Sequence, residues 1–389
     1  MSDKDDSSSK VLLRGITWGH SRGYTCLVGV SQRYSELHPT IEISWDKRSL
    51  KEFESKPLSE LADTYDLLVI DHPWAGFAVK HGILLPLNKL FPSTFLDDQQ
   101  RNSVGPSFAS YNFDGFQSAF AIDAASPVSV WRPDKIDVSE VPRTFQDTLA
   151  LAHGGKVLYA ATPTYLLMDF YAFCATAGGS LFSPTDAEHV VDDETGMCVL
   201  EDMRHLASLC PQRVFSLDTI ALHEELATSE SAVFCPFVYG YVNYSRRGYA
   251  RHVLQAGDVI SYGGQHLKGV LGGTGLAISS RTRNPKQAAA FVAYAASGEM
   301  QRTIYCDCGG QPGHMSAWLD DECNRQTHDF FRATLPSLED SYLRPRYSGY
   351  LSFQDAAGTI LHEFVQGEKT SRQTLQKLNE LYVASRRNG

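Results

Sequence analysis

The amino-acid sequence predicts an α/β protein with two lobes that enclose a ligand cleft and close about a hinge. Three observations predict this fold. Strand and helix patterns alternate along the first part of the chain, a short polar crossing follows near residues 123–126, and a second α/β region begins after it. The 389 residues also exceed the usual size of one hydrophobic core, so about two domains are expected.

The first region predicts the order strand, helix, strand, helix, strand. These elements are expected at residues 12–16, 24–37, 41–45, 50–65 and 66–70. The last strand is a continuous apolar run, which is typical of a buried parallel strand. Because ligands bind outside the carboxyl ends of such strands, the loops at 18–23 and 71–74 are expected to face one crevice.

A further strand is expected at 116–122, just before the crossing. The second region continues the alternation beyond it, with strands expected at 156–160, 232–238 and 272–279 and helices at 165–177, 284–300 and from 370 onward. Asn284 caps the second of these helices and Pro285 occupies its first turn. A capping box of Thr370 and Gln373 starts the C-terminal helix.

Composition and charge exclude several classes of protein. The chain carries 45 acidic and 35 basic residues, a formal charge of −10, which argues against a nucleic-acid binder. No window is long and apolar enough to span a membrane. Residues 1–10 are polar and predict a disordered tail rather than a secretory signal. As written, the sequence predicts a cytoplasmic protein, and a periplasmic or extracellular one if a leader has been removed.

Three parts of the chain resemble a known family. The first is 66–74 with 82–87, the second is 272–280 with 284–292, and the third is 309–313. They resemble the maltose-binding-protein-like extracellular solute-binding proteins of ABC importers. The resemblance implies one lobe from residues 11–122 plus 271–325 and a second from 127–270 plus 326–385. It also implies a monomer that presents a small ligand to a membrane permease.

The predicted function is therefore capture of a small polar ligand, a carbohydrate or a related hydroxylated acid, between the lobes. The alternative is a cytosolic enzyme that uses the same cleft for acid/base chemistry. In that case His20, His72 and either Asp71 or Asp123 would transfer protons. No cofactor is expected, because neither a P-loop nor a dinucleotide-binding fingerprint is present.

The loop after the first strand supplies three candidate ligand contacts: Trp18, His20 and Arg22. An arginine and backbone N–H groups there suit a carboxylate or hydroxyls. The same loop matches G-x-S-x-G around Ser21. It follows the first strand, however, which leaves no earlier strand for an oxyanion-hole loop, so a Gly-rich ligand loop is favoured over a hydrolase elbow.

The loop after the buried strand supplies Asp71, His72 and Trp74. Trp74 is expected to stack on a sugar or aromatic ring. The structural alternative is that Asp71 caps the next helix and Trp74 packs beneath the loop. Asp123 at the crossing either accepts hydrogen bonds from the ligand or fixes the hinge backbone.

The second region supplies four more candidate contacts: Tyr239, Asn243, Gly273 and Tyr347. Alternation with period two predicts that Tyr239, Tyr241 and Asn243 point to one face of an extended segment. Tyr347 follows a basic Arg344-Pro-Arg346 segment, in which Arg346 is expected in a solvated loop.

Four residues near the C-terminal third, Cys306, Cys308, His314 and Cys323, are of types that bind zinc. Their spacing is not that of a zinc site, so no metal is expected. The eight cysteines are predicted to be buried thiols, which fits a reducing compartment slightly better.

Overall fold

The computed structural model describes residues 10–388, so the tail predicted at 1–10 lies outside the described residues except for its last residue. The described residues form an α/β protein with two larger β-sheets and two short two-stranded sheets. The strands are β1 (Val11–Trp18), β2 (Ile41–Arg48), β3 (Leu67–Ile70), β4 (Asn112–Phe113), β5 (Phe116–Gln117), β6 (Phe120–Ala125), β7 (Pro127–Trp131), β8 (Phe234–Tyr239), β9 (Gln255–Gly257), β10 (Ser261–Tyr262), β11 (Gln265–His266) and β12 (Gly272–Ile278).

The larger sheet has five strands in the order β2-β1-β3-β12-β6. Strand β1 pairs in parallel with β2 and β3, and β12 runs antiparallel between β3 and β6. The smaller sheet has the order β8-β7-β9 and is antiparallel. Short hairpins are formed by β4 with β5 and by β10 with β11.

Helices cover both sheets. They are α1 (Thr25–Leu37), α2 (Leu50–Ser55), α3 (Leu58–Ala62), α4 (Trp74–His81), α5 (Leu87–Leu90), α6 (Ser93–Arg101), α7 (Ser107–Ser110), α8 (Phe145–Ala152), α9 (Pro163–Thr176), α10 (Asp193–Leu209), α11 (Thr219–Thr228), α12 (Pro285–Ala296), α13 (Gly298–Met300), α14 (Met315–Trp318), α15 (Asp321–Gln326), α16 (Phe330–Glu339), α17 (Tyr350–Val365) and α18 (Ser371–Asn388). No helix in residues 10–388 combines the length and the apolar character needed to cross a membrane.

The hydrophobic cores are built around the two larger sheets. Two clusters of buried side chains lie on either side of the larger sheet, one around Leu13 and Phe291 and the other around Leu68 and Ala78. A third and larger core surrounds the smaller sheet and helices α9, α10 and α17. Separate cores are what two lobes require, because each lobe must keep its packing when the lobes move.

Several chain segments pass between the lobes. Only Ser126 separates β6 of the larger sheet from β7 of the smaller one. The chain returns at β12, whose first residue follows Leu271, a buried residue of the core that surrounds the smaller sheet. A third link lies at residues 342–346, where Tyr342 pairs with the backbone around Gly269 and Arg346 donates to carbonyls of residues 109, 110 and 112.

The predicted elements agree with the structure except in four places. The strand predicted at 116–122 is two strands, β5 and β6, which residues 118 and 119 separate. The helix predicted at 50–65 is two helices, because Pro57 lacks the N–H that would continue the first one. The strand predicted at 156–160 is a single bridge between Val157 and Phe234. The helix from Pro285 ends at Ala296, and Asn284 precedes it without a side-chain cap.

Other local predictions are confirmed. Thr370 and Gln373 exchange the two hydrogen bonds of a capping box. The lobe boundaries inferred from the resemblance stay a prediction. Trp318 and Cys323 fall in the range 271–325 assigned to the first lobe, yet they pack in the core that surrounds the smaller sheet.

Candidate functional site

A cavity lies where the two sheets meet, and both lobes contribute to its walls. Its volume is about 90 Å³, well below the roughly 300–1,000 Å³ of typical ligand pockets. Entry of a ligand therefore requires its walls to separate. The lining residues are Trp18, Arg22, Leu50, Phe53, Asp71, Ala125, Thr164, Tyr165, Met168, Thr219, Tyr239, Tyr241, Gly272, Gly273, Thr274, Arg344 and Gln354.

Trp18 ends strand β1 and forms part of the cavity wall. Its indole packs 5.3 Å from the ring of Phe53 and lies directly on Gly23, where a Cβ atom would come within 2.4 Å of the indole. Gly23 is therefore needed for the loop to fold over the indole. The Nε1–H of Trp18 is buried and has no hydrogen-bond partner among the described residues.

Arg22 is tied to the hinge strand and to the second lobe at once. Its Nε donates to Asp123 Oδ2 at 2.7 Å, its Nη2 donates to Oδ1 at 2.5 Å, and its Nη1 donates to the carbonyl of Gly240 at 2.8 Å. The guanidinium also lies over the ring of Tyr241. Burial disfavours its charge, but the Asp123 carboxylate more than offsets this and raises the pKa of Arg22.

A second buried pair joins Asp71 of the first lobe to Arg344 of the third link. Arg344 Nη2 lies 2.8 Å from both carboxylate oxygens of Asp71, and Nη1 donates to Gln354 Oε1 at 3.0 Å. Burial alone would raise the pKa of Asp71, but the Arg344 charge holds it well below its usual range. The Nε of Arg344 has no partner among the described residues.

The remaining wall combines aromatic faces with exposed backbone. The rings of Tyr239 and Tyr165 lie 5.9 Å apart. In the same wall, Gly273 has φ +91°, and a Cβ there would lie 2.3 Å from the carbonyl oxygen of Asp123. Only glycine fits both requirements. The hydroxyl of the neighbouring Thr274 is buried without a partner in the described part of the chain.

Five predicted contacts therefore line the cavity: Trp18, Arg22, Asp71, Tyr239 and Gly273. Asp123 lies behind Arg22 and reaches the cavity only through it. The structure places the other five predicted contacts outside the wall, which corrects the expected clustering: His20, His72, Trp74, Asn243 and Tyr347.

His20 lies at a different contact between the lobes. Its Nε2 shares a 3.0 Å hydrogen bond with the hydroxyl of Tyr249, and Tyr241 meets its ring edge-on at 4.7 Å. Burial, followed by the nearby charge of Arg22, lowers the pKa of His20 to about 3. The ring is thus neutral at pH 7 and helps to join the lobes.

His72 and Trp74 belong to the packing beneath the cavity. His72 is fully buried, and burial, reinforced by Arg344, lowers its pKa to about 4. Trp74 lies in the apolar core with its ring 5.4 Å from that of Phe77. Trp74 thus packs beneath the loop, which was the alternative to stacking on a ligand. Asp71, by contrast, accepts a hydrogen bond from the backbone N–H of His72 and is not the cap of α4.

The period-two alternation predicted from Tyr239 holds for Tyr241, which lines the same cavity, but fails at Asn243. Strand β8 ends at Tyr239, and a 3₁₀ turn follows at Val242–Ser245. Asn243 therefore turns away and donates to the carbonyl of Gly309 at 3.0 Å. Tyr347 bonds to Ser385 Oγ at 2.7 Å instead of facing the cavity.

Sequence reasoning missed Arg344 as a site residue. The basic segment at 344–347 draws attention to Arg346 and Tyr347, yet Arg346 binds backbone carbonyls. Asp71 and Arg344 are 273 positions apart, so no local pattern links them. The available signal was chemical: a carboxylate after a fully buried strand needs a cation.

The candidate zinc ligands do not form one cluster. Cys306 and Cys323 are buried together in the core that surrounds the smaller sheet, whereas Cys308 lies beside Gly29 of α1. His314 bonds to Ser316 through Nδ1. Within residues 10–388, no group of three or more side chains suited to a metal ion is found.

Comparison with known proteins identifies the family. The family model described as bacterial extracellular solute-binding protein matches residues 30–328. The chain therefore belongs to this family of solute-binding proteins. A search of curated protein sequences gave no match.

Solved structures of this class share the two-lobed fold along nearly the whole chain. A solute-binding protein of an ABC transporter from Agrobacterium radiobacter, in complex with ribitol, has TM-score 0.81 at 17% identity and covers 97% of this chain and 99% of its own. Maltose-bound MalE3 of T. maritima has TM-score 0.79 at 16% identity, with 96% and 99% coverage. A solute-binding protein from Thermotoga lettingae bound to α-D-tagatose has TM-score 0.80 at 14% identity, with 96% and 100% coverage.

Proposed function

We propose that this solute-binding protein captures a small carbohydrate, a sugar alcohol or a related hydroxylated acid in the cavity between its lobes. The carrying observation is the cavity itself, which joins aromatic faces to buried hydrogen-bonding groups. Such a combination suits a ligand with an apolar ring or chain face and a polar edge. The structural neighbours named above are bound to ribitol, maltose and tagatose, which supports this class.

Both lobes are needed to complete the site. Trp18 and Asp71 come from the larger sheet, whereas Tyr239 and Tyr165 come from the second lobe. A ligand held between them stabilises the closed arrangement, since it gains contacts with both walls only when they approach. One chain forms both walls, so we infer a monomer, and its closed form would be the state offered to an ABC permease.

The test is isothermal titration calorimetry with a panel of monosaccharides, disaccharides, sugar alcohols and sugar acids. At least one should bind and be recovered unchanged by mass analysis. Replacing Trp18 by alanine should weaken its binding by roughly tenfold or more, because the aromatic wall and its N–H are lost. Trp74→Phe is the control, since that ring lies in the core, and it should leave Kd unchanged.

Two results would contradict the proposal. One is the absence of binding by every member of the panel to folded protein. The other is recovery of a bound compound in converted form, with conversion lost in His72→Ala, which would instead establish the enzyme alternative.

A further inference from the structure

We infer that the cavity selects uncharged polyhydroxylated ligands and rejects their carboxylate analogues, with Asp71 and Arg344 as the specificity-determining pair. This inference rests on the proposed function and chooses between the uncharged ligands and the hydroxylated acids named there. It is carried by the charges that face the cavity and by the polar atoms that lack partners.

The charges of the wall are already balanced. The charged residues that line the cavity are Arg22, Asp71 and Arg344. Arg22 is held through two nitrogens by Asp123 just behind the wall, and Arg344 is held by both oxygens of Asp71. Two positive charges thus meet two negative ones, and neither guanidinium is left to neutralise an anionic ligand.

The unpartnered groups define what the ligand must offer. Trp18 Nε1, Thr274 Oγ1 and Arg344 Nε have no partner among the described residues, and all three side chains are more than nine-tenths buried. A buried N–H without an acceptor is costly. All three atoms belong to residues of the cavity wall and are closed to solvent here, so ligand oxygens would meet them once the walls separate.

Asp71 decides which kind of oxygen is accepted. Its carboxylate lines the cavity, and 18% of its side chain remains exposed. A hydroxyl can accept from Arg344 Nε and donate to Asp71, so it satisfies both neighbours. A ligand carboxylate only accepts, and it would enter a poorly hydrated site beside the negative Asp71. The same geometry that binds a hydroxyl therefore disfavours an acid.

The experiment compares matched pairs that differ only by oxidation of one carbon. Ribitol is paired with ribonate, mannitol with mannonate and glucose with glucuronate, and the Kd of each is measured by calorimetry at pH 7. In every pair that shows binding, the uncharged member should bind at least about tenfold more tightly. An acid that binds as tightly as its uncharged partner would overturn the inference while leaving the proposed function intact.

Asp71→Asn tests the assigned cause. This change leaves Arg344 without its counter-charge, so the ratio of the two Kd values should move toward the acid by roughly tenfold or more. A merely structural loss would weaken both ligands equally and leave the ratio unchanged, which would contradict the role of Asp71. If the variant fails to fold, the wild-type ratio still decides the inference.

A control uses the Arg132–Asp134 pair away from the cavity, in which Nε and Nη2 of the arginine each donate to one carboxylate oxygen. Asp134→Asn should leave the ratio of Kd values at its wild-type level. If no compound of either class binds to wild-type protein, the proposed function fails and the selectivity falls with it. That result differs from one in which an acid binds with the same Kd as its uncharged analogue.

Discussion

The two arginine–aspartate pairs at the junction of the lobes have the same chemistry but different surroundings. Arg22 uses Nε, Nη1 and Nη2 within the protein, and both members of its pair are at least 95% buried. Arg344 leaves Nε without a partner in the described residues, and Asp71 retains some exposure to the cavity. The Arg22–Asp123 pair is saturated, whereas the Arg344–Asp71 pair keeps one donor without a partner in the described residues.

The difference shows that an ion pair between lobes has two possible uses. A saturated pair fixes the geometry of the hinge, since every donor that moved would lose a partner in a dry environment. An open pair keeps hydrogen-bonding capacity for a ligand. We therefore expect changes at Arg22 to act mainly on folding and changes at Arg344 to act mainly on binding.

The largest expected effect follows from breaking the saturated pair. Arg22→Met leaves the Asp123 carboxylate buried without its cation, and we expect a loss of about 3–5 kcal/mol in the free energy of unfolding. Urea denaturation followed by circular dichroism measures it. The double variant with Asp123→Leu should recover much of the loss, because no unpaired charge remains. A cost below about 1 kcal/mol for the single variant would place this pair among weak surface pairs.

The next largest effect is expected on ligand binding, when the arginine of the other pair is changed. Arg344→Gln should weaken binding of the ligand found by calorimetry by roughly 10- to 100-fold, since a donor and the counter-charge of Asp71 are lost. Its cost to stability should be smaller than that of Arg22→Met. Arg346→Gln is the control two positions away, and it should leave Kd unchanged. Equal effects of both variants on Kd would remove the distinction between the two arginines.

The smallest effect concerns the histidine beside each pair. His20 contacts the surroundings of Arg22, and His72 neighbours Asp71. Burial lowers their pKa values from 6.5 to about 3 and about 4. Below 6.5 the unfolded chain binds protons that the folded chain does not. The free energy of unfolding should therefore decrease as the pH falls below 6.5, by about 1.4 kcal/mol per histidine at pH 5.5.

Urea titrations at several pH values from 7.5 down to 5 would measure this slope. His20→Gln should reduce the slope by the contribution of one histidine. A slope that His20→Gln leaves unaltered would show that the ring is already exposed in the folded protein.

Much of the fold followed from patterns within single segments. The continuous apolar run after Asp66 predicted a buried strand, and the structure has β3 at Leu67–Ile70. The loops after β1 and β3 were expected to share a crevice, and Trp18, Arg22 and Asp71 do line one cavity. These inferences succeed because hydrophobic periodicity and the direction of parallel strands are local properties.

Residues whose roles depend on distant partners were harder to assign. Trp74 and His72 follow β3 within four residues, yet the turn into α4 directs them into the core. Asn243 was misplaced because the end of β8 changes the backbone from extended to a 3₁₀ turn. Neither outcome is visible in residue type or spacing.

The sequence by itself determined the α/β class, the order of most elements, the family resemblance and the loops that form one side of the cleft. Only the tertiary structure decided which arginine faces which aspartate. Asp71 meets Arg344 from the opposite end of the chain, and Asp123 meets Arg22 from more than a hundred residues away. The physical reason is that buried charges must be paired wherever the fold brings them together, and that meeting is set by packing between lobes rather than by local sequence.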